Sequence, residues 1–199
     1  TTTTINGGTA TEFATTLLTH KTNNRVSFTG VNLSIDGTTV TTAQANDLTA
    51  ATTGTVTTTV SDGDLDTLTG LNAKSNAALA VTVTDTAGTA AELNTVNAGT
   101  TSAVNANAVV TIESSTASDL ATLMADAQDA AKFTNTSFVD LTTNGVTITG
   151  GTTIDVTDLN NAISRTNTVA TGTVDLVFSA DNTTTTINGG TATEFATTL

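Results

Sequence analysis

Three aspartates alternate at Asp62, Asp64 and Asp66 in the run D-G-D-L-D. Carboxylates at every second position open a calcium loop, in which hard oxygen ligands gather around the ion. An EF-hand also needs glycine at the sixth position and glutamate at the twelfth. Counted from Asp62, those positions hold Thr67 and Ala73. The competing reading is a helix start enriched in acid, where carboxylates complement the dipole. Calcium at Asp62, Asp64 and Asp66 is therefore the one metal left open, and otherwise no cofactor is expected.

Other reactive types are sparse. His20 is the single imidazole, and its surroundings, LLTHKT, contain no nucleophile elbow. Its position near the expected end of the first helix suits a cation facing the helix dipole. With one His and no Cys, zinc lacks ligands. Gly7-Gly8 and Gly150-Gly151 stand outside any phosphate-binding context and read as turns. Asp155 and Asp158 could share acid-base work, yet both fit helix-cap positions. Lys21, Lys74 and Lys132 could join isopeptide crosslinks, but no Asn or Asp partner is singled out. Asn32, Asn135 and Asn182 begin N-x-Ser/Thr triplets, acceptors for glycosylation outside a cell. No enzyme is expected, and no catalytic residue is assigned.

The elements that would position these residues follow a repeated spacing. A Thr, Ser or Asp is followed three residues later by Glu, Asp or Gln, and then by an apolar residue. The pattern occurs at Thr9–Glu12–Phe13, Thr41–Gln44–Ala45, Ser61–Asp64–Leu65, Thr89–Glu92–Leu93, Thr116–Asp119–Leu120 and Asp155–Asp158–Leu159. It returns at Thr191–Glu194–Phe195. This is the capping box, in which the first side chain accepts from an orphan amide and the fourth residue reaches back. Helical spacing follows in Leu65 and Leu68, Leu93 and Val96, Leu120, Leu123 and Met124, and Leu159 and Ile163. Each helix is short, and the longest is expected over Thr116–Ala131.

Between the helices the period becomes two, as strands require. Val26 and Phe28 alternate, then Val31, Leu33 and Ile35, then Leu79, Val81 and Val83. The same holds up to Ile112 from Val109, and for Val139 and Leu141, Val146 and Ile148, Ile154 and Val156, and Val174, Leu176 and Phe178. Strands alternating with short helices imply parallel β-α units with right-handed crossovers.

A longer repeat contains this shorter one. Thr1–Leu17, TTTTINGGTATEFATTL, recurs letter for letter as Thr183–Leu199, so the period is 183 − 1 = 182 residues. A duplicated cloning overlap is the plainer alternative to a window cut from a longer tandem array. The apolar residues after each box stand at 13, 45, 65, 93, 120, 159 and 195, in steps of 32, 20, 28, 27, 39 and 36. Units of about thirty residues are typical of solenoids. One such unit cannot bury enough apolar surface to offset its ordering entropy, whereas stacked neighbours can. The expected fold is therefore α/β: a repeat solenoid of parallel β-strands with short helices, about six β-α units per 182-residue period. Residues 1–182 form one period and 183–199 begin the next. Equivalent threonines should line up between neighbouring strands as ladders.

Composition narrows the function. Thr supplies 55 of 199 residues, and Pro, Cys, Trp and Tyr are absent. Eighteen acidic residues against five basic ones give a formal net charge of −13. So acidic a surface is repelled by nucleic acid and by anionic membranes. No apolar run reaches the length of a membrane span. Disorder is the alternative for such a composition, but the apolar residues are too regularly placed for it.

Two stretches, Ala80–Val104 (AVTVTDTAGTAAELNTVNAGTTSAV) and Thr55–Ala73 (TVTTTVSDGDLDTLTGLNA), carry a resemblance. They resemble the Thr/Ala/Asn-rich repeats of very long surface and secreted proteins of cyanobacteria and other aquatic bacteria. The resemblance covers about half the chain clearly. It implies an extracellular repeat region with a structural, adhesive or motility-related role. Calcium-binding nonapeptide repeats occur near some such regions, but their G-G-x-G-x-D spacing is absent here.

Together these point to a structural protein, a segment of a tandem-repeat extracellular fibre, stalk or surface layer at the cell surface. Its expected partner is itself, along or between fibres, with no nucleic acid, no membrane insertion and an unspecified surface ligand. A calcium-dependent adhesin or surface-layer module is the first alternative. A polysaccharide-acting enzyme on a β-helix scaffold and a pilin-like subunit stand behind it.

Overall fold

The structure is a computed structural model. It describes residues 3–113 and 115–134, Thr157, and four further strands. In chain order the described elements begin with β1 (Thr4–Asn6), then a π-helical stretch (Glu12–Leu17) that runs on as α1 (Leu18–Thr22). β2 (Asn32–Ser34), α2 (Thr42–Ala51), β3 (Val56–Thr59), α3 (Leu65–Leu68) and β4 (Ala77–Ala80) follow. Next come β5 (Ala87–Gly88), α4 (Ala90–Ala98), β6 (Val104–Asn105), β7 (Thr111–Ile112) and β8 (Ser115–Thr116). α5 (Ala117–Asp126) and β9 (Phe133–Thr134) precede the last four strands. These are β10 (Val146–Thr149), β11 (Thr153–Asp155), β12 (Leu176–Phe178) and β13 (Thr186–Asn188). The protein is thus mixed α/β, with a four-stranded parallel sheet and short helices. It divides into two compact units, Thr1–Thr84 with Thr95–Asn105, and Asp85–Asn94 with Ala106–Leu199.

In the first unit the sheet runs β1-β2-β3-β4, so strands neighbour each other in chain order. All three pairings are parallel, with Ile5 opposite Leu33, Leu33 opposite Val56 and Val56 opposite Ala77. That apolar file is what a parallel sheet buries. Beyond β4, Thr82 bridges Asn105 of β6 in parallel. Leu33, Val40, Leu48, Leu68 and Leu79 are fully enclosed beside it. Each such side chain contributes about 2 kcal/mol by leaving water. Successive stretches approach closely: a Cβ on Gly54 would stand 2.3 Å from the Val31 carbonyl oxygen.

In the second unit β5 pairs with β7, β10 lies between β8 and β12, and β11 pairs with β13, again all in parallel. Leu93, Leu120, Leu123 and Met124 are fully buried. α5 carries its apolar residues on one face, as a helix lying on a core must.

Several expectations need correction. Val26 and Phe28 form no strand: Phe28 is buried, but Val26 is exposed. Asn24 with φ 55° and Gly30 with φ 73° turn the chain on either side of them. The Val31 amide closes that turn on the Phe28 carbonyl. The helix expected over Thr116–Ala131 stops at Asp126 and is matched in length by α2. There Asp129 folds the chain back, its carboxylate accepting from the Ala131 amide. Threonine ladders are missing from the four-stranded sheet, where Thr57 faces Ser34 and Ala78. Threonine faces threonine in the second unit, at Thr116 with Thr149 and Thr153 with Thr186. The strand residues Val139 and Leu141 and the helix at Leu159 and Ile163 lie outside the described residues.

Candidate functional site

Three helix starts are built twice, once locally and once from a later stretch of chain. Locally, Thr9 with Glu12, Thr41 with Gln44, and Thr89 with Glu92 form reciprocal boxes. In each the third residue on donates its amide to the threonine hydroxyl, and its side chain accepts the threonine amide. These bonds hold the Glu12 carboxyl below the usual range, chiefly through the Thr9 amide and then its hydroxyl. Thr116 caps α5, its hydroxyl accepting the Asp119 amide, but aspartate is one carbon shorter than glutamate. Its carboxylate takes the Thr116 hydroxyl instead.

The second layer has no local signature. The first helical amide after each box donates to a side chain from a later stretch. Ala10 donates to Thr38 at 2.8 Å, Thr42 to Asp62 at 2.6 Å, and Ala90 to Ser115 at 2.9 Å. Orphan amides at helix N-termini thus bind consecutive parts of the chain together.

Two of the three aspartates fall into this scheme. Asp62, half-buried, caps α2. Asp64 is exposed and is the N-cap of α3, accepting the Thr67 amide at 2.9 Å. The Thr67 hydroxyl and then its amide hold the Asp64 carboxyl below its ordinary value. Asp66 is exposed in the first turn of α3. Among the described residues no group of three or more His, Asp or Glu is placed to hold a metal ion. The box expected at Ser61 is displaced: the Ser61 amide stays bonded to Val40, and the cap falls on Asp64.

Hydroxyls and amides also tie strand to strand. Thr52 lies within 2.6 Å of both the Phe28 and the Val31 carbonyl oxygens and accepts the Gly54 amide. Thr100 does the same for Ala77 and Leu79, accepting from Ser102. Asn46 accepts the Asn72 amide and donates to Gly70, and Asn76 donates to Thr52 and Gly54. These residues were missed from sequence. One signal could have found them: Thr41–Val56 and Thr89–Val104 share Thr, Asn and Val at matching places, including Asn46 with Asn94 and Thr52 with Thr100.

His20 stands half-buried in the last turn of α1, beside Lys21. Lys21 lines an open depression of about 420 Å³ with Leu18, Asp47 and Ala51. Lys74 and Lys132 are exposed. Asn32 is half-buried, its side-chain Oδ1 accepting the Thr55 amide. Gly7 and Gly8 adopt positive φ, as turns do. Asp155 is placed on β11, while Asp158, Asn135, Asn182, Gly150 and Gly151 lie outside the described residues. No helix among the described residues is long and apolar enough to cross a membrane. No family model, curated protein or solved structure matches the chain.

Proposed function

We propose that the chain is structural, one period of a tandem-repeat α/β solenoid that builds an extracellular fibre, stalk or surface layer. The observation that carries this reading is the pairing order. Parallel strands take their neighbours from the stretches before and after them in sequence. Polar caps join the same stretches, across 20 to 28 residues. Such an arrangement lengthens by adding units, because each one covers the open edge of the last. Its side chains spend their polar atoms on neighbouring backbone, so the work it supports is mechanical. The acidic surface keeps separate fibres apart at low salt, and self-association occurs along the fibre.

Chains of one, two and three periods test this by small-angle X-ray scattering. Maximum dimension should rise in equal steps at constant cross-section. A radius of gyration that grows as for separate globules on linkers would overturn the reading.

A further inference from the structure

The segment Thr-Ile-Asn occurs twice in this structure with different partners. At β1 it pairs in parallel with Asn32–Ser34, which follows it in sequence. At β13, 182 residues on, the same letters pair in parallel with Thr153–Asp155, which precedes them. A strand has two hydrogen-bonding edges, and alternate residues face opposite ones. The Thr3 carbonyl accepts the Asn32 amide, so Thr3 and Ile5 serve the edge toward β2. Thr4 and Asn6 serve the other edge, and β1 is the outermost strand of its sheet.

Strands flanked on both sides here obey one rule. β2 lies between β1 and β3, β3 between β2 and β4, and β10 between β8 and β12. Each has an earlier strand on one edge and a later strand on the other. Applied to Thr-Ile-Asn, the rule puts its two observed partners on opposite edges.

We infer that Thr4–Asn6 and Thr186–Asn188 are two views of one joint. A single copy of this segment is held between Thr153–Asp155 of one period and Asn32–Ser34 of the next copy of the period. The inference rests on the tandem reading and adds the residues of the junction. Asn188 faces Asp155 on one side, and its counterpart Asn6 faces Ser34 on the other.

The test uses a chain in which Asn182 is followed by a second complete copy. The protein has no cysteine, so introduced pairs report cleanly. Facing residues on paired strands lie within reach of a disulfide. One variant carries Asp155→Cys and Asn188→Cys. The other carries Asn188→Cys with Ser34→Cys of the second copy. Both should close an intramolecular disulfide under mild oxidation. Closure of only one pair in chains with unchanged circular dichroism would overturn the joint. In the unsubstituted tandem chain, the amides of Thr186–Asn188 should exchange about tenfold more slowly than in the single chain. Equal rates would also overturn it. If scattering shows a lengthening rod while the second disulfide fails, the fibre reading stands and this junction does not.

Discussion

α2 and α3 begin from matching letters and end as different helices. Thr41-Thr42-Ala43-Gln44 closes a capping box and starts a helix of ten residues. Ser61-Asp62-Gly63-Asp64 offers the same spacing, yet the helix starts three residues later and runs for four. The cause lies in strand pairing. Val40 bridges Val60 in parallel, and the Ser61 amide donates to the Val40 carbonyl. Gly63 then gives its carbonyl to the Thr84 amide, so the chain stays extended until Asp64. A cap is worth about 1 kcal/mol. Several sheet bonds and the placement of Leu65, Leu68 and Leu71 together outweigh it.

The largest test of this comparison is in the core. Leu48 of α2 and Leu68 of α3 are both completely buried. Leu48→Ala and Leu68→Ala should each cost about 2–5 kcal/mol by denaturant unfolding. Equal costs from a long and a short helix would show that packing, not helix length, holds each stretch. A Leu68→Ala cost near that of an exposed position would break the comparison.

A smaller pair of effects separates two buried threonines. The Thr52 hydroxyl bridges two carbonyls and an amide, whereas the buried Thr58 hydroxyl has no hydrogen-bond partner among the described residues. Thr52→Val should destabilise by about 1–3 kcal/mol, because the Gly54 amide and two carbonyls lose their partner. Thr58→Val should stabilise by about 1 kcal/mol, because a desolvated hydroxyl becomes a methyl. The same substitution thus carries opposite signs, readable from the shift in unfolding midpoint. Matching signs would mean that both hydroxyls have equivalent surroundings.

Much of this was legible in the letters. The boxes at Thr9, Thr41 and Thr89, the cap at Thr116, and the burial of Leu79, Val81 and Val83 follow from local spacing. What was hidden depends on distant register. Ser61 could be read as a cap only by ignoring Val40, and the bond of Asp62 to the Thr42 amide, twenty residues away, has no local sign. Val26 has strand periodicity, but turns at Asn24 and Gly30 flank it and it pairs with no strand among the described residues. Local propensity proposes a start, and the neighbouring stretch decides where it falls.

The caps themselves can be weighed directly. Thr41→Ala removes an acceptor from the Gln44 amide and should cost about 1 kcal/mol. Ser61→Ala removes only an exposed hydroxyl bonded to the Val40 carbonyl, and should cost less than about 0.5 kcal/mol. A Ser61 cost as large as that of Thr41 would restore the box that the sequence suggests.

Acid titration gives the finest distinction, between a carboxylate cap and a neutral one. Asp64 caps α3 with its charged form, and its bonds to Thr67 lower its folded pKa. In the unfolded chain it titrates near the ordinary value of about 4. The unfolded state therefore binds the proton first, and the stabilisation present above about pH 4 drains away as pH falls through the folded pKa. Thr41, the N-cap of α2, is a neutral hydroxyl and carries no such proton. Asp64→Asn keeps a good capping side chain while removing the titration. The unfolding midpoint of the unsubstituted chain should fall more steeply below about pH 4 than that of the variant, with the two converging at lower pH. Parallel curves would mean that the Asp64 carboxylate does not accept the Thr67 amide in solution, and that α3 starts elsewhere.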